Sequence, residues 1–131
     1  MQTIDEHSEA LVVGAGGAMG AALTERLLDT TPVARVWAAT RHPDSGRVAG
    51  LRARHGERVQ AVAVDLTNPD SIAALAEQVG AATPRLHLLI NAFGILHDRD
   101  AGIWPEKRVE DITAAGLEAN LRIKTMAPML I

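Results

Sequence analysis

A glycine-rich segment between an apolar run and an amphipathic run constrains the fold more than any other feature of the chain. Residues 10–13 are apolar and predict a buried strand, and a turn with Gly14, Gly16 and Gly20 follows it directly. A helical pattern begins at Ala18. A strand, a turn of small residues and a helix N-terminus together form an anion site, because free N–H groups and the helix dipole face one point. The segment predicts a phosphate-binding turn, and the alternative is a tight turn without a ligand.

Length, charge and composition exclude several other classes of protein. The 131 residues are enough for one domain over residues 1–131, and a net charge of −3 gives no electrostatic case for nucleic acid or an anionic membrane. Cysteine is absent, which excludes disulfide and thiolate chemistry. Residues 1–9 do not resemble a signal peptide, and no apolar run approaches the length of a membrane span. A cytoplasmic protein is predicted.

Strand and helix patterns alternate along the rest of the chain. Strands are predicted over residues 10–13, 34–40, 59–64 and 86–91. Helices are predicted over residues 18–29, 48–55, 71–79 and 112–131. Apolar strands joined by helical crossovers predict an α/β fold with a Rossmann-like, doubly wound parallel sheet in the order 3-2-1-4. The ligand crevice then lies over the carboxyl ends of strands one and four, next to Gly14 and Asn91.

The residues after the second strand indicate which dinucleotide fits. A protein that holds NAD usually has a carboxylate there, which accepts hydrogen bonds from the adenosine ribose. This chain has Thr40, Arg41 and His42 instead. A guanidinium binds a 2′-phosphate through charge-assisted hydrogen bonds, and His42 offers a second donor. Arg41 therefore predicts NADP rather than NAD, and the alternative is a solvated surface arginine.

These segments together resemble the N-terminal half of a short-chain dehydrogenase/reductase from Ala10 to Ile131. Val13, Gly14, Ala18 and Gly20 fall on the family pattern T-G-x-x-x-G-x-G, with alanine in place of its second glycine. Val64-Asp65-Leu66 resembles the end of strand three, where the family aspartate contacts the adenine amino group. Asn91-Ala92-Phe93-Gly94 resembles the N-N-A-G segment that ends strand four, although Phe93 is bulkier than the usual alanine. Residues 94–98 and 105–107 resemble the bacterial C-factor and sniffer-like branch.

The resemblance implies NADP(H) as cofactor and a set of residues that bind it. Gly17 is expected to lie outside the contacts between the glycine turn and the cofactor. Gly14→Val is expected to abolish binding in a folded protein by filling the space of the pyrophosphate. The predicted cofactor-binding residues are Gly14, Ala15, Gly16, Ala18, Met19, Gly20, Thr40, Arg41, Asp65, Leu66, Asn91, Ala92, Phe93 and Gly94.

The catalytic residues of the family have no counterpart in the chain. Its catalytic serine and Tyr-x-x-x-Lys pair are absent, and the sequence holds no tyrosine at all. Lys124 stands where the family has the asparagine of its proton relay, and Asn120 is a partial substitute one turn earlier. His97, Asp98 and Asp100 offer metal ligands or an oriented base, but a solvated loop is the preferred interpretation. No catalytic residue and no metal ligand is therefore predicted.

Two function classes stay open. The first is a truncated, NADP(H)-binding portion of a short-chain oxidoreductase that is inactive alone. The second is a non-enzymatic dinucleotide-binding or interaction module with the same fold. Methyl transfer from S-adenosylmethionine is disfavoured, because that cofactor also needs an acidic residue where Arg41 stands. A homo-oligomer is expected through the edge of strand four or, by preference, through a C-terminal helix whose apolar residues share a face: Leu117, Leu121, Met126 and Leu130.

Overall fold

Strands and helices alternate over the first two thirds of the chain, as the sequence predicts. The structure is a computed structural model that describes residues 4–44, 46–95 and 102–131. The strands are β1 (Glu9–Val13), β2 (Arg35–Thr40), β3 (Val59–Ala63) and β4 (Leu88–Asn91). The helices are α1 (Ala18–Thr30), α2 (Gly46–His55), α3 (Pro69–Ala82), α4 (Ala114–Leu121) and α5 (Ala127–Leu130). Short 3-10 turns occupy Gly56–Arg58 and Val109–Asp111.

The four strands form one parallel sheet in the order β3-β2-β1-β4. Val13 pairs with Ala39 of β2 on one side and with Asn91 of β4 on the other. The predicted order 3-2-1-4 is confirmed. After β1 the chain builds the sheet on one side through β2 and β3, and it then returns to add β4 on the other side of β1. The crevice therefore opens between the carboxyl ends of β1 and β4.

Helices cover both faces of the sheet, because successive side chains of a strand point to opposite faces. On one face, Val12 and Val36 pack with Leu28 of α1 and Leu51 of α2. On the other face, Leu11, Val13, Trp37 and Ala39 pack against α3 and α5, through residues that include Ile72, Leu75, Val79 and Ala127. The sheet is therefore doubly wound, as predicted. No helix among the described residues is long and apolar enough to cross a bilayer.

Several element bounds differ from the predicted ones for identifiable reasons. The third helix begins at Pro69 rather than at residue 71, because Asn68 caps it by accepting the backbone N–H of Asp70 at 3.0 Å, and it ends at Ala82 rather than at residue 79. The fourth strand begins at Leu88 rather than at residue 86. Its partner β1 begins only at Glu9, because the preceding residues form a turn in which Ser8 bonds to Asp5.

The C-terminal helix is divided where one continuous helix is predicted. It begins at Ala114, capped by the Thr113 hydroxyl, and a π-helical turn over Arg122–Met126 separates α4 from α5. Pro128 lies just after this turn and has no N–H to donate to the carbonyl four residues back. The helix therefore widens before the proline. The residues expected on one face, Leu117, Leu121, Met126 and Leu130, are each at least 52% exposed.

Candidate functional site

A cleft of about 960 Å³ lies at the carboxyl ends of the strands. The glycine turn forms one wall, and the segments that follow β2, β3 and β4 form the others. The sequence predicts a crevice at this place, and the structure has one. The lining residues are Gly14, Gly16, Gly17, Ala39, Thr40, Arg41, His42, Gly46, Arg47, Val64, Asp65, Leu66, Thr67, Ala92, Phe93, Gly94, Ile95 and Ile123.

The glycine turn is fixed to the sheet by its own backbone. The N–H groups of Gly14 and Ala15 both donate to the Ala39 carbonyl, at 2.9 and 3.1 Å, at the end of β2. Gly14 has a φ of +91°, a conformation that side chains with a Cβ rarely adopt. The turn is therefore held by backbone hydrogen bonds to β2, which already use the N–H groups of Gly14 and Ala15.

Close internal contacts explain why two of the predicted glycines are needed. A Cβ on Gly14 would lie 2.6 Å from the carbonyl oxygen of Ala92, and a Cβ on Gly20 would collide with the Gly14 carbonyl. Gly20 is buried in α1, so it lets the helix approach the turn. The expected reason for Gly14 is thus corrected: a side chain there would strike the end of β4, inside the protein.

The N-terminus of α1 faces the cleft without a side-chain cap. Gly17 is the N-cap residue, and no side chain among the described residues bonds to the helix start. The first N–H groups of a helix have no partner within it, so those of α1 stay available to an anion. Gly17, predicted to lie outside the critical contacts, lines the cleft and leaves this approach open.

Charged residues stand at the ends of β2 and β3. Arg41 is exposed and lines the cleft directly after Thr40, the last residue of β2. Asp65 lies two residues beyond β3, and its carboxylate accepts the Thr67 hydroxyl at 2.7 Å and the Thr67 N–H at 2.9 Å. These hydrogen bonds, and to a lesser extent the charge of Arg41, hold the pKa of Asp65 below its usual value. Asp65 is therefore ionised at neutral pH.

The segment after β4 closes the opposite end of the cleft. Ala92 continues the ladder by donating its N–H to the Val13 carbonyl at 2.8 Å. Phe93 lines the cleft and packs against the hydrophobic core below it. Lys124, from the π-helical turn, has its Cε 4.0 Å from a Cβ built on Gly94, which places a lysine side chain beside this segment. Asn120 is turned away, because its amide donates to the Gly116 carbonyl of its own helix.

The structure brings most of the predicted site residues to one cleft. Five predicted residues are not among its lining residues: Ala15, Ala18, Met19, Gly20 and Asn91. Ala15 and Gly20 are buried beneath the turn, and Met19 is 70% exposed on α1. His97, Asp98 and Asp100 lie outside the described residues, as does Ser45. The predicted residues that line the cleft are Gly14, Gly16, Thr40, Arg41, Asp65, Leu66, Ala92, Phe93 and Gly94.

Two lining residues of interest, Arg47 and Ile123, are not among the predicted site residues. Arg47 lies in the first turn of α2, directly after Gly46, and its basic side chain lines the cleft. Ile123 reaches the cleft from the π-helical turn, which changes the helical phase before Pro128. A proline within a helical pattern is a visible sign of such a change.

Comparisons with known proteins agree with this geometry. The family model described as short chain dehydrogenase matches residues 8–130. The NADPH-bound carbonyl reductase from chicken fatty liver is 27% identical with a TM-score of 0.81, over 98% of this chain and 46% of that one. A Pseudomonas aeruginosa PAO1 carbonyl reductase in complex with NADP is 29% identical with a TM-score of 0.77, over 94% and 52%.

A curated relative is far longer than this chain. The phenolphthiocerol synthesis polyketide synthase type I Pks15/1 of Mycobacterium marinum is 28% identical over 113 residues, which are 83% of this chain and 5% of that protein. The chain thus spans about half the length of the solved structures above and a small part of the synthase. The match to the family model covers nearly the whole sequence, and the chain belongs to the short chain dehydrogenase family.

Proposed function

We propose that the chain binds NADP(H) as the dinucleotide-binding portion of a short-chain oxidoreductase. One observation carries the proposal: Arg41, which directly follows β2, lines the same cleft as the glycine turn at Gly14. A carboxylate there would repel a 2′-phosphate, whereas a guanidinium binds it. The NADPH and NADP in the carbonyl reductases compared above support the same cofactor.

The lining residues fit the parts of such a dinucleotide. The uncapped N-terminus of α1, with Gly16 and Gly17, suits the pyrophosphate, because it offers N–H groups without side chains in front of them. Arg41 suits the 2′-phosphate. Asp65, charged and close to Arg41, suits the adenine amino group. Ala92, Phe93 and Gly94 then border the nicotinamide ribose; when bound, the cofactor supplies or accepts a hydride.

The 131-residue chain by itself is proposed to lack reductase activity. A reduced carbonyl oxygen needs a proton donor, and no tyrosine exists in the sequence to provide one. Ser8 is buried and bonded to Asp5, and the Ser71 hydroxyl accepts the Asp65 N–H at 2.9 Å. Neither serine is among the residues that line the cleft.

An interaction module is the second candidate, and an exposed apolar surface favours it. Leu117, Leu121, Met126, Met129 and Leu130 are all at least 52% exposed on the C-terminal helix. A surface of this kind is typical of association sites. We propose a homo-oligomer through this helix first, with pairing along the exposed edge of β4 as the alternative.

Mapping of the bound ligand by NMR tests the proposed function. NADP⁺ is titrated into the ¹⁵N-labelled chain while the backbone amide signals are followed. We expect the largest shifts at Gly16, Gly17 and Arg41, with smaller ones at Gly94. The amides of Arg54, in the last turn of α2, and of Gly56, just after that helix, serve as the internal control. The absence of shifts, or shifts confined to residues outside the cleft, contradicts the proposal.

A further inference from the structure

Arg47 extends from the first turn of α2 into the same cleft as Arg41. It is exposed and lies six residues beyond Arg41. Its Nη1 donates to the backbone carbonyl of Gly16 at 3.4 Å, so the guanidinium already reaches across to the glycine turn. Gly16 and Gly17 have no side chains to obstruct it. The guanidinium therefore lies next to the surface proposed for the cofactor phosphates.

Among the described residues, the Gly16 carbonyl is the one hydrogen-bond partner of the Arg47 guanidinium. A hydrogen bond at 3.4 Å is long, and this one is exposed to water. Among the residues that the structure describes, no carboxylate lies within 4.0 Å of Arg47. Two other arginines of α2 differ, because Arg52 pairs with Asp44 and Arg54 pairs with Glu25. Of the three arginines of α2, Arg47 is thus the one that lines the cleft and has no ion pair with a described carboxylate.

The charge balance of the cleft favours an anion with more than one negative charge. Arg41 and Asp65 both line the cleft, and the charge of Arg41 helps to lower the pKa of Asp65, so the two opposite charges partly offset each other. Arg47 adds a second positive charge to a lining that contains one carboxylate. A phosphate monoester carries close to two negative charges at neutral pH and accepts several hydrogen bonds. Two guanidinium groups match such a group better than one does.

We propose that Arg47 is a second phosphate-binding residue, whose guanidinium leaves the Gly16 carbonyl and donates to the 2′-phosphate of NADP(H) opposite Arg41. The inference rests on the proposed function, because it assigns a further specificity residue to the same site. Arg47 then contributes to the choice of NADP over NAD and has no contact with a cofactor that lacks the 2′-phosphate.

Calorimetric titration of four ligands tests the role of Arg47. NADP⁺ and 2′,5′-ADP carry the 2′-phosphate, whereas NAD⁺ and 5′-AMP lack it. Loss of a charged hydrogen-bonding partner predicts about tenfold weaker binding of the first pair to Arg47→Ala. Binding of the second pair stays unchanged. Arg52→Ala is the matched control on the same helix and leaves all four affinities unchanged.

Arg47→Gln separates the proposal from a structural role. Glutamine keeps an N–H donor for the Gly16 carbonyl but has no charge, and it serves in place of alanine if that variant is unstable in thermal unfolding. Equal losses for NADP⁺ and NAD⁺ would mean that Arg47 only holds the turn, which overturns the inference. Unchanged NADP⁺ affinity also overturns it, while a continued wild-type preference for NADP⁺ leaves the proposed function intact. If the wild-type chain binds none of the four ligands, both fail.

Discussion

Gly14 and Ala92 lie so close together that a Cβ on the glycine would stand 2.6 Å from the alanine carbonyl oxygen. Ala92 in turn donates its N–H to Val13, the residue before Gly14. The two loops of the cleft, one after β1 and one after β4, are therefore held against each other by backbone atoms. The shape of the cleft depends on this contact.

Gly14→Val is expected to damage the fold as well as dinucleotide binding. The valine meets the Ala92 carbonyl and must also adopt a φ of +91°, which costs about 1–3 kcal/mol before the collision is counted. Urea unfolding followed by circular dichroism measures the loss. Gly17→Val is the matched comparison, because Gly17 has a φ of −76° and a Cβ on it would lie 3.3 Å from the Gly14 carbonyl oxygen. Equal stability of Gly14→Val and wild type would contradict the account.

Arg58 is expected to stabilise the connection between α1 and β2. Its guanidinium donates to the carbonyls of Val33, Leu28 and Thr31, at distances from 3.0 to 3.3 Å. Arg58→Ala leaves these half-buried carbonyls without the arginine, and hydrogen bonds from a charged group predict a loss of about 1.5–3 kcal/mol in the free energy of unfolding. Arg52→Ala, which removes an exposed ion pair, should change it by less than about 1 kcal/mol. Similar losses in both variants would refute this role.

The carboxylate of Asp65 is expected to titrate below its ordinary pKa because of Thr67. A lowered folded-state pKa stabilises the protein above the unfolded value near 3.8, and this contribution disappears as the pH falls through the folded-state pKa. An NMR titration of the Asp65 carboxyl carbon measures the pKa directly. Thr67→Val removes the hydroxyl donor and should raise it. An ordinary pKa in the wild type, or no rise in Thr67→Val, would count against the assignment.

Association through the C-terminal helix is tested by light scattering at micromolar concentration. Leu117→Glu with Leu121→Glu places charges on the exposed apolar surface and should convert an oligomer to a monomer. Leu89→Lys, on the exposed edge of β4, is the comparison and should leave the oligomer intact. A wild-type monomer refutes association, and dissociation by Leu89→Lys alone would favour edge pairing.

The absence of activity is tested on the same preparation. NADPH-dependent reduction of a carbonyl compound is followed by absorbance at saturating cofactor. We expect no turnover above the background, because the chain has no tyrosine to donate the proton. Turnover that persists through further purification would refute this expectation.

The sheet could be predicted from the sequence because its strands are short, apolar and separated by helical patterns. The order β3-β2-β1-β4 follows from right-handed crossovers and needs no side-chain detail. The ends of β1, β2 and β4 then bring Gly14, Arg41 and Gly94 to one cleft. Local signals and a general rule of handedness sufficed for this part.

Other features depend wholly or in part on contacts between segments that are distant in the sequence. The π-helical turn that turns Ile123 into the cleft results from Pro128 and from packing against the sheet. The need for glycine at position 14 comes from Ala92, which is distant in sequence, so the local pattern alone attributes it to the ligand. The role of Arg47 has no local signal, because its contact with Gly16 joins two segments that meet only in the folded chain.

The ratio of NADP⁺ to NAD⁺ affinity in wild type and Arg41→Ala tests the central claim most directly. A charge-assisted contact with the 2′-phosphate contributes about 1.5–3 kcal/mol, or about ten- to a hundredfold in affinity. Calorimetry should show the wild-type chain preferring NADP⁺ by about this factor and Arg41→Ala losing the preference through weaker NADP⁺ binding alone. Equal wild-type affinities for the two cofactors, or a preference that survives in Arg41→Ala, would contradict the account.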